Sequence, residues 1–496
     1  MNPRLVSRIL GILIMLEAVA MLGCGVFARF DVLEGDEAAA AALFMSAGVT
    51  GAFAVAMILA GGLRNVVDRI PRREGVLIVG LGWLLCSAFG GIPYLFCPPG
   101  LNWAAAFFES ASGFTTTGSS VMTDIEAWPR GLLLWRSVTQ LLGGIGILVL
   151  FVAVLSYLGL GSKSLFMNES SFRGGESGMA RIHDTSLALL RIYLGLCAAC
   201  AIGLRMMGFT WFNAWCHSMT AVSTGGFSPH NRSIGFYSDW GNGWLIEMWI
   251  TIFMFLCSLN FLIYVVILRK NWKRLRQEED AKWLAGICVA FILIIAGGRA
   301  FHGDDTFTHA LRDASFVVVT IVSTTGFGTA DYELWPAWSK VMLALLMLMG
   351  GCAGSTAGGF KVGRLMVFLK SAKLEISKTF RPNIVFRVFV NGNRIDDSSR
   401  ARVMFFLTLY LMIAVFSTVV VGFLEAGTGI DLETCCGTVL ATLSNIGPGF
   451  GTVGPTENFA HLREPTHVFL AWLMILGRLE LFALLVVFFP SAWRKY

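Results

Sequence analysis

Apolar residues run through this chain in long blocks that carry almost no charge. Residues 9–28 (ILGILIMLEAVAMLGCGVFA) hold one charged side chain, and residues 404–424 (MFFLTLYLMIAVFSTVVVGFL) hold none. Runs of about 20 apolar residues are what a helix needs to cross the hydrocarbon core of a bilayer. The pattern predicts ten full spans, at about 5–28, 40–63, 74–96, 131–158, 185–208, 242–269, 281–299, 337–369, 402–425 and 466–490. The first block is longer than the core of a secretory signal and a second span follows it, so it reads as a retained helix.

Between spans three and four lies a segment too short to cross, NWAAAFFESASGFTTTGSS at 102–120. The same interruption falls between spans five and six, seven and eight, and nine and ten. Each is a short apolar helix followed by Gly, Ser and Thr, which is the pattern of a re-entrant loop. The four polar ends align without gaps: FTTTGSS (114–120), VSTGGFS (222–228), VSTTGFG (322–328) and LSNIGPG (443–449). Position five is always glycine, at Gly118, Gly226, Gly326 and Gly447, spaced 226−118=108, 326−226=100 and 447−326=121. Three residues before each stands a hydroxyl (Thr115, Ser223, Ser323, Ser444). The predicted fold is therefore an all-α polytopic membrane protein. Two extra helices (1–70) precede four repeats of helix, half-helix, polar strand and helix, at 71–165, 180–270, 280–372 and 398–496, set around a single pore.

Non-helical backbone is tolerated at membrane depth only where it lines a cavity or is buried in protein. Four such strands meeting on one axis would present stacked rings of carbonyl oxygens, which replace the water shell of a monovalent cation. Glycine lets the strand take positive φ without a Cβ clash. Each half-helix would aim its partly negative C-terminal end at the same point, favouring a cation. The candidate filter residues are Thr116, Thr117 and Gly118; Thr224, Gly225 and Gly226; Thr324, Thr325 and Gly326; and Asn445, Ile446 and Gly447. One shared glycine per strand predicts looser selection than a filter with several ordered carbonyl layers.

The eighth span contains MGGCAGSTAGGFKVGR, 349–364. Glycine inside a helix costs about 1 kcal/mol relative to alanine. Gly350, Gly351, Gly354, Gly358 and Gly359, with Ser355 and Thr356, predict a break near mid-membrane and a gating loop below the filter. Close helix packing through small residues is the alternative. Lys361 would then lie low in the pore or at its cytoplasmic side. Arg478 stands inside the last span, where a charge is costly and marks a candidate functional residue. It is read either as repelling cations or as the counterpart of the 350–359 loop in a closed gate, with a structural pair to Glu480 or to a helix-end carbonyl as the alternative. Glu109 and Asp313 lie in half-helices, either near the outer mouth or in capping and packing roles.

Charge orients these elements. Basic residues cluster at Arg64 to Arg73, Lys270 to Arg276, Lys370 to Arg402 and Arg494–Lys495, while the segment between spans one and two is acidic. By the positive-inside rule the basic loops and both termini are cytoplasmic. The net charge of +6 is that bias and calls for no nucleic acid. Hydrophobic residues make up 55% of the chain and charged ones 14%, with mean hydropathy +0.69, which excludes a soluble domain. The eleven cysteines sit mostly in apolar runs without metal-ligand spacing, so they read as small core residues. Seven histidines likewise show no ligand pattern; His217, in a half-helix, reads as a core or cap residue. No Gly-rich phosphate loop follows a strand, so no organic cofactor is expected on this chain.

These motifs together resemble the Trk/Ktr/HKT superfamily of potassium-uptake proteins. The resemblance rests on TTTGS (115–119), STGGFSP (223–229), STTGF (323–327), SNIGPGFG (444–451), GGCAGSTAGGFKV (350–362) and GRLE (477–480), and covers essentially the whole chain. It implies potassium as the transported ion and a homodimer with one pore per protomer in the cytoplasmic (inner) membrane. It implies filter glycines at the four positions above, an intramembrane loop at 350–359 and a gating arginine at Arg478. It also implies a cytosolic TrkA-like ring that binds NAD or ATP, docked on basic loops at 163–181, 270–282 and 370–402. In the HKT branch the first filter position can be serine and sodium is carried; Gly118 here favours potassium. Coupled symport with sodium or protons would need intramembrane carboxylates, of which the spans hold few (Glu17, Glu247, Glu480).

Overall fold

The computed structural model describes residues 2–31, 36–62, 72–158, 178–303, 305–381 and 388–481. Among them, six helices are long and apolar enough to cross a membrane, or up to seven if a bent pair counts as one. Pro3–Phe30 and Glu37–Gly61 form an N-terminal hairpin. Its helices approach closely because Gly11 sits against the Ala54 carbonyl and Gly61 against the Arg4 carbonyl, where no side chain fits.

Four short helices, Trp103–Phe114, Trp211–Val222, Phe307–Val322 and Leu432–Leu443, are the expected half-helices. Each starts on a side-chain N-cap that accepts the backbone N–H three residues on: Asn102 from Ala105, Thr210 from Asn213, Thr306 from His309 and Asp431 from Thr434. The Asp431 carboxyl, held by the Thr434 hydroxyl and N–H, is kept below its usual range. From N-cap to ring glycine the count is 118−102=16, 226−210=16, 326−306=20 and 447−431=16. The third half-helix is thus one turn longer than the others.

Three expected spans are interrupted. The span at 242–269 is not continuous: Gly243–Ser258 and Leu262–Leu268 meet at 96°. The cause is tertiary, since the Ser258 carbonyl accepts from Cys352 N–H and Phe261 N–H donates to the Gly354 carbonyl. The eighth span breaks as its glycines predict. Ala337–Met347 stops, a loop follows, and helix resumes at Val362–Phe380. A two-residue parallel bridge pairs Met349 with Phe360 and Gly350 with Lys361 and closes the loop's neck. The last helix, expected to run to 490, ends at Arg478. Leu481 N–H bonds the Leu476 carbonyl while Glu480 and Leu481 take φ of +52° and +65°, a left-handed helix stop. Residues 482–490 of that expected span lie outside the described residues.

Candidate functional site

The four half-helices end alike, and the way they end builds the site. After each C-cap (Thr115, Ser223, Ser323, Ser444) the next residue turns left-handed: Thr116, Thr224, Thr324 and Asn445 have φ of +52° to +56°. The following N–H reaches back five residues, from Thr117 to Ser112, Gly225 to Thr220, Thr325 to Thr320 and Ile446 to Ala441. This is a Schellman end, whose left-handed position glycine usually fills. Here Thr or Asn stands there four times, at a cost on the order of 1–3 kcal/mol each, which points to work for their side chains.

The ring glycines come next, with φ of +90° (Gly118), +81° (Gly226), +82° (Gly326) and +106° (Gly447). A Cβ on each would run into the next strand's carbonyl. Gly118 faces the oxygen of Gly225, Gly226 that of Thr325, Gly326 that of Ile446, and Gly447 that of Thr117. The order 1–2–3–4–1 closes on itself, so the four strands stand around one axis. Glycine is needed there for positive φ and for this inter-strand contact. Among the described residues, the carbonyls of Thr117, Thr325 and Ile446 accept no hydrogen bond from the chain.

Buried polar side chains hold the strands from behind. Arg136 pairs with Glu109 at 2.8 Å, donates to the Ser228 carbonyl at 3.2 Å and lies over the Phe227 ring. Glu109 accepts from Ser120 Oγ and Val121 N–H. The pair thus ties strand one to strand two. Breaking one side of a buried ion pair costs about 3–5 kcal/mol, so Glu109→Gln is expected to lower the thermal midpoint of the detergent-solubilised protein by several degrees, measured by intrinsic fluorescence. Gln140 bonds strand two, and Ser119 Oγ donates to the Gly447 carbonyl at 2.8 Å.

At the inner ends of the strands, where the half-helices stop, lies the broken-helix loop. Thr324 Oγ1 accepts from Gly358 N–H at 2.6 Å, and Thr224 Oγ1 meets Thr356 Oγ1 at 3.3 Å. Gly358 sits 2.6 Å, measured at an added Cβ, from the Ser444 carbonyl. Gly354 and Gly359 take φ of +77° and +61°, Gly351 lies against the Ser258 carbonyl, and Gly350 against the Gly358 carbonyl. Ser355 Oγ closes a turn on the Cys352 carbonyl. The left-handed Thr224 and Thr324 are therefore a link between ring and loop. Two cations pin the loop: Lys361 Nζ donates to the Ala357 and Gly358 carbonyls, and Arg478 Nη1 donates to the Thr356 carbonyl at 2.6 Å. Arg478 is 3% exposed, and among the described residues its Nε and Nη2 meet no acceptor at hydrogen-bonding distance.

Every expected filter and loop residue therefore falls in one connected unit. Other expectations are corrected or decided. Arg478 is not the partner of Glu480, which pairs with Arg364. Glu109 is buried against Arg136, and Asp313 pairs with Arg299 at 3.2 Å, so neither carboxylate stands free at a mouth. His217 is a core residue, bonded to the Asn213 carbonyl and Ser228 Oγ. Asp305, His309 and Asp313 lie together at the start of the third half-helix, with Arg299 on both carboxylates. Of the basic loops, Lys370 pairs with Glu279, and Arg400 with Glu375 and Asp397; 163–177 and 382–387 lie outside the described residues. Sequence reasoning missed Gln140 and Arg136, whose only signal is a polar side chain inside an apolar helix.

A ring of four re-entrant strands inside a bundle of apolar helices defines an integral membrane transport protein rather than an enzyme. The family model for TrkH, described as cation transport protein, matches residues 49–298 and 289–495. Relatives include the Trk system potassium uptake protein TrkH of Halomonas elongata (33% identical, all of both chains) and TrkG of Escherichia coli (32%, all of this chain and 99% of that one). The crystal structure of the potassium transporter TrkH from Vibrio parahaemolyticus superposes with a TM-score of 0.87 at 29% identity, covering both chains fully. The chain belongs to the TrkH family of cation transport proteins.

Proposed function

We propose that this protein takes up potassium across the cytoplasmic membrane as the ion-translocating subunit of a Trk-type system. The cyclic closure of the four glycine strands carries the reading. Three carbonyls of that ring have no donor among the described residues, and a buried acceptor left unpaired costs roughly 1–3 kcal/mol. A dehydrated monovalent cation satisfies such oxygens while passing. Thr116–Gly118, Thr224–Gly226, Thr324–Gly326 and Asn445–Gly447 form the filter. The half-helix C-termini direct their partial negative charge to it, and the 350–361 loop with Arg478 is the gate. The proposal includes ten spanning helices with four repeats, both termini cytoplasmic, a homodimer, and a cytosolic TrkA-like nucleotide-binding ring that carries the NAD or ATP. The relatives' names support the Trk assignment.

The test is rubidium-86 uptake into liposomes holding the purified protein, with potassium and sodium as competitors. Saturable uptake blocked by potassium and weakly by sodium is expected; no flux with or without a nucleotide-loaded ring would overturn the reading. Coupled symport is the second reading, and Glu17 is the carboxylate it would rest on. Glu247 pairs with Arg312 and Glu480 with Arg364, whereas Glu17 is 2% exposed, lies against Gly90 and the Cys86 thiol, and has no ion-pair partner among the described residues. A charge there would be expensive. Glu17→Gln is then expected to keep the wild-type uptake rate and its pH profile. Loss of a pH- or sodium-driven component in that variant would favour symport.

A further inference from the structure

Strand two differs from the others at the position before its ring glycine. Strands one, three and four carry Thr117, Thr325 and Ile446; strand two carries Gly225. Its backbone does not require glycine, because Gly225 is not among the residues with positive φ. A Cβ there would instead overlap the side chain of Gln140. Gln140 projects from Arg130–Leu158 and is fully buried. Its Nε2 donates to the Gly225 carbonyl at 2.7 Å, and its Oε1 accepts from Phe227 N–H at 3.2 Å. The two bonds bracket Gly226, and the reverse amide orientation would set like against like on both sides.

In strands one and three the side chain at this position bonds the C-cap hydroxyl of its own strand, Thr117 Oγ1 to Thr115 Oγ1 and Thr325 Oγ1 to Ser323 Oγ, both at 2.7 Å, and Thr117 Oγ1 also accepts from Asn445 Nδ2 of strand four. Strand two has no side chain there for Ser223 Oγ to meet; that hydroxyl donates to the Thr220 carbonyl, as Ser323 Oγ also does to Thr320. The Gly225 oxygen is also the atom that Gly118 faces. We propose that Gln140 is a positioning residue for ion selection: an amide from a spanning helix stands in for the missing side chain of Gly225 and fixes the wall between strands one and two. This rests on the filter reading above. The Gln140 bond draws one lone pair of the Gly225 carbonyl outward and fastens strand two to the spanning helix.

The experiment is rubidium-86 uptake with sodium as competitor for Gln140→Leu, Gln140→Glu and the double variant Gln140→Ala/Gly225→Thr, beside wild type and Gly226→Ala. Gln140→Glu keeps the side-chain volume and the acceptor for Phe227, and as a buried neutral acid it can still donate to Gly225, whereas Gln140→Leu makes neither bond. Losing the bonds, with the Gly225 acceptor left buried, is expected to cut potassium-over-sodium discrimination by roughly tenfold in Gln140→Leu and less in Gln140→Glu. The double variant rebuilds the Thr–Thr–Gly strand of repeats one and three, and is expected to recover most of the discrimination. A purely structural role would lower protein yield in the single variants without this rescue. Unchanged sodium competition in folded Gln140→Leu, with discrimination lost in Gly226→Ala, would overturn the role of Gln140 and leave the filter standing. No rubidium uptake by wild type would overturn both.

Discussion

Rubidium uptake by Gly118→Ser protein is expected to become strongly inhibited by sodium, with potassium-over-sodium discrimination falling at least about tenfold. Two costs act at once. Serine must hold φ near +90°, a region that costs on the order of 1–3 kcal/mol for a residue with a side chain. Its Cβ also falls on the Gly225 oxygen, which Gln140 holds on the far side. Strand two cannot yield toward Gln140, so strand one must move, and the spacing of the oxygens around the ring opens on that side. A wider ring coordinates potassium less completely and admits a partly hydrated sodium ion. The neighbouring comparison sharpens the test. At Gly326 the Cβ would meet the Ile446 oxygen and, at 2.9 Å, Pro448 Cδ, so neither neighbour can give way. Gly326→Ala is expected to lose uptake altogether rather than selectivity alone. Equal sodium competition in wild type and Gly118→Ser liposomes would show that the glycine contacts do not set the size of the site.

The ring was legible in the sequence because it is written four times. A glycine at a fixed place in four aligned phrases carries its own control, and the apolar segments before them marked the half-helices. The glycine-rich eighth span was legible for a local reason as well, since five glycines in ten residues oppose helix wherever they lie. What stayed hidden depends on distant partners. Residues 242–269 are mostly apolar, with Glu247 and Asn260 among them, and the break at Ser258–Phe261 exists because Cys352 and Gly354 supply the missing bonds. The last helix stops after Arg478 on the left-handed Glu480 and Leu481, with Leu481 N–H on the Leu476 carbonyl, which no helical periodicity encodes. Gly225 seemed one more filter glycine, yet the structure gives it a different reason, the amide of a residue 225−140=85 positions earlier. Thr116, Thr224, Thr324 and Asn445 were legible as polar filter positions but not as left-handed ones, because what holds Thr224 and Thr324 is the loop and what holds Asn445 is Thr117 and the Met474 carbonyl, all distant in sequence.

That loop is where the second large effect is expected. Arg478→Ala should raise the initial rate of rubidium uptake about tenfold in liposomes lacking any partner ring. The guanidinium is buried next to the ends of the ring strands with one nitrogen on Thr356 and two without acceptors among the described residues. On the proposed reading it acts on the pathway in two ways. It fastens the centre of the loop, whose Thr356 hydroxyl in turn reaches the carbonyls of Val222 and Cys257. It also places a positive charge, poorly screened, beside the proposed cation site; at an effective dielectric near 20 such a charge adds on the order of 1–4 kcal/mol to a cation's path. Both effects oppose conduction, so removing the side chain releases both. Arg478→Gln separates them, since an amide can still donate to Thr356 but carries no charge. If repulsion dominates, Arg478→Gln will conduct as fast as Arg478→Ala; if the tether dominates, it will stay near wild type. The loop will not collapse in either variant, because Lys361 still holds the Ala357 and Gly358 carbonyls and Thr324 still accepts from Gly358. A folded Arg478→Ala protein with unchanged or slower uptake would mean that the arginine supports the conducting form of the loop, and the barrier would then have to lie in the ring itself.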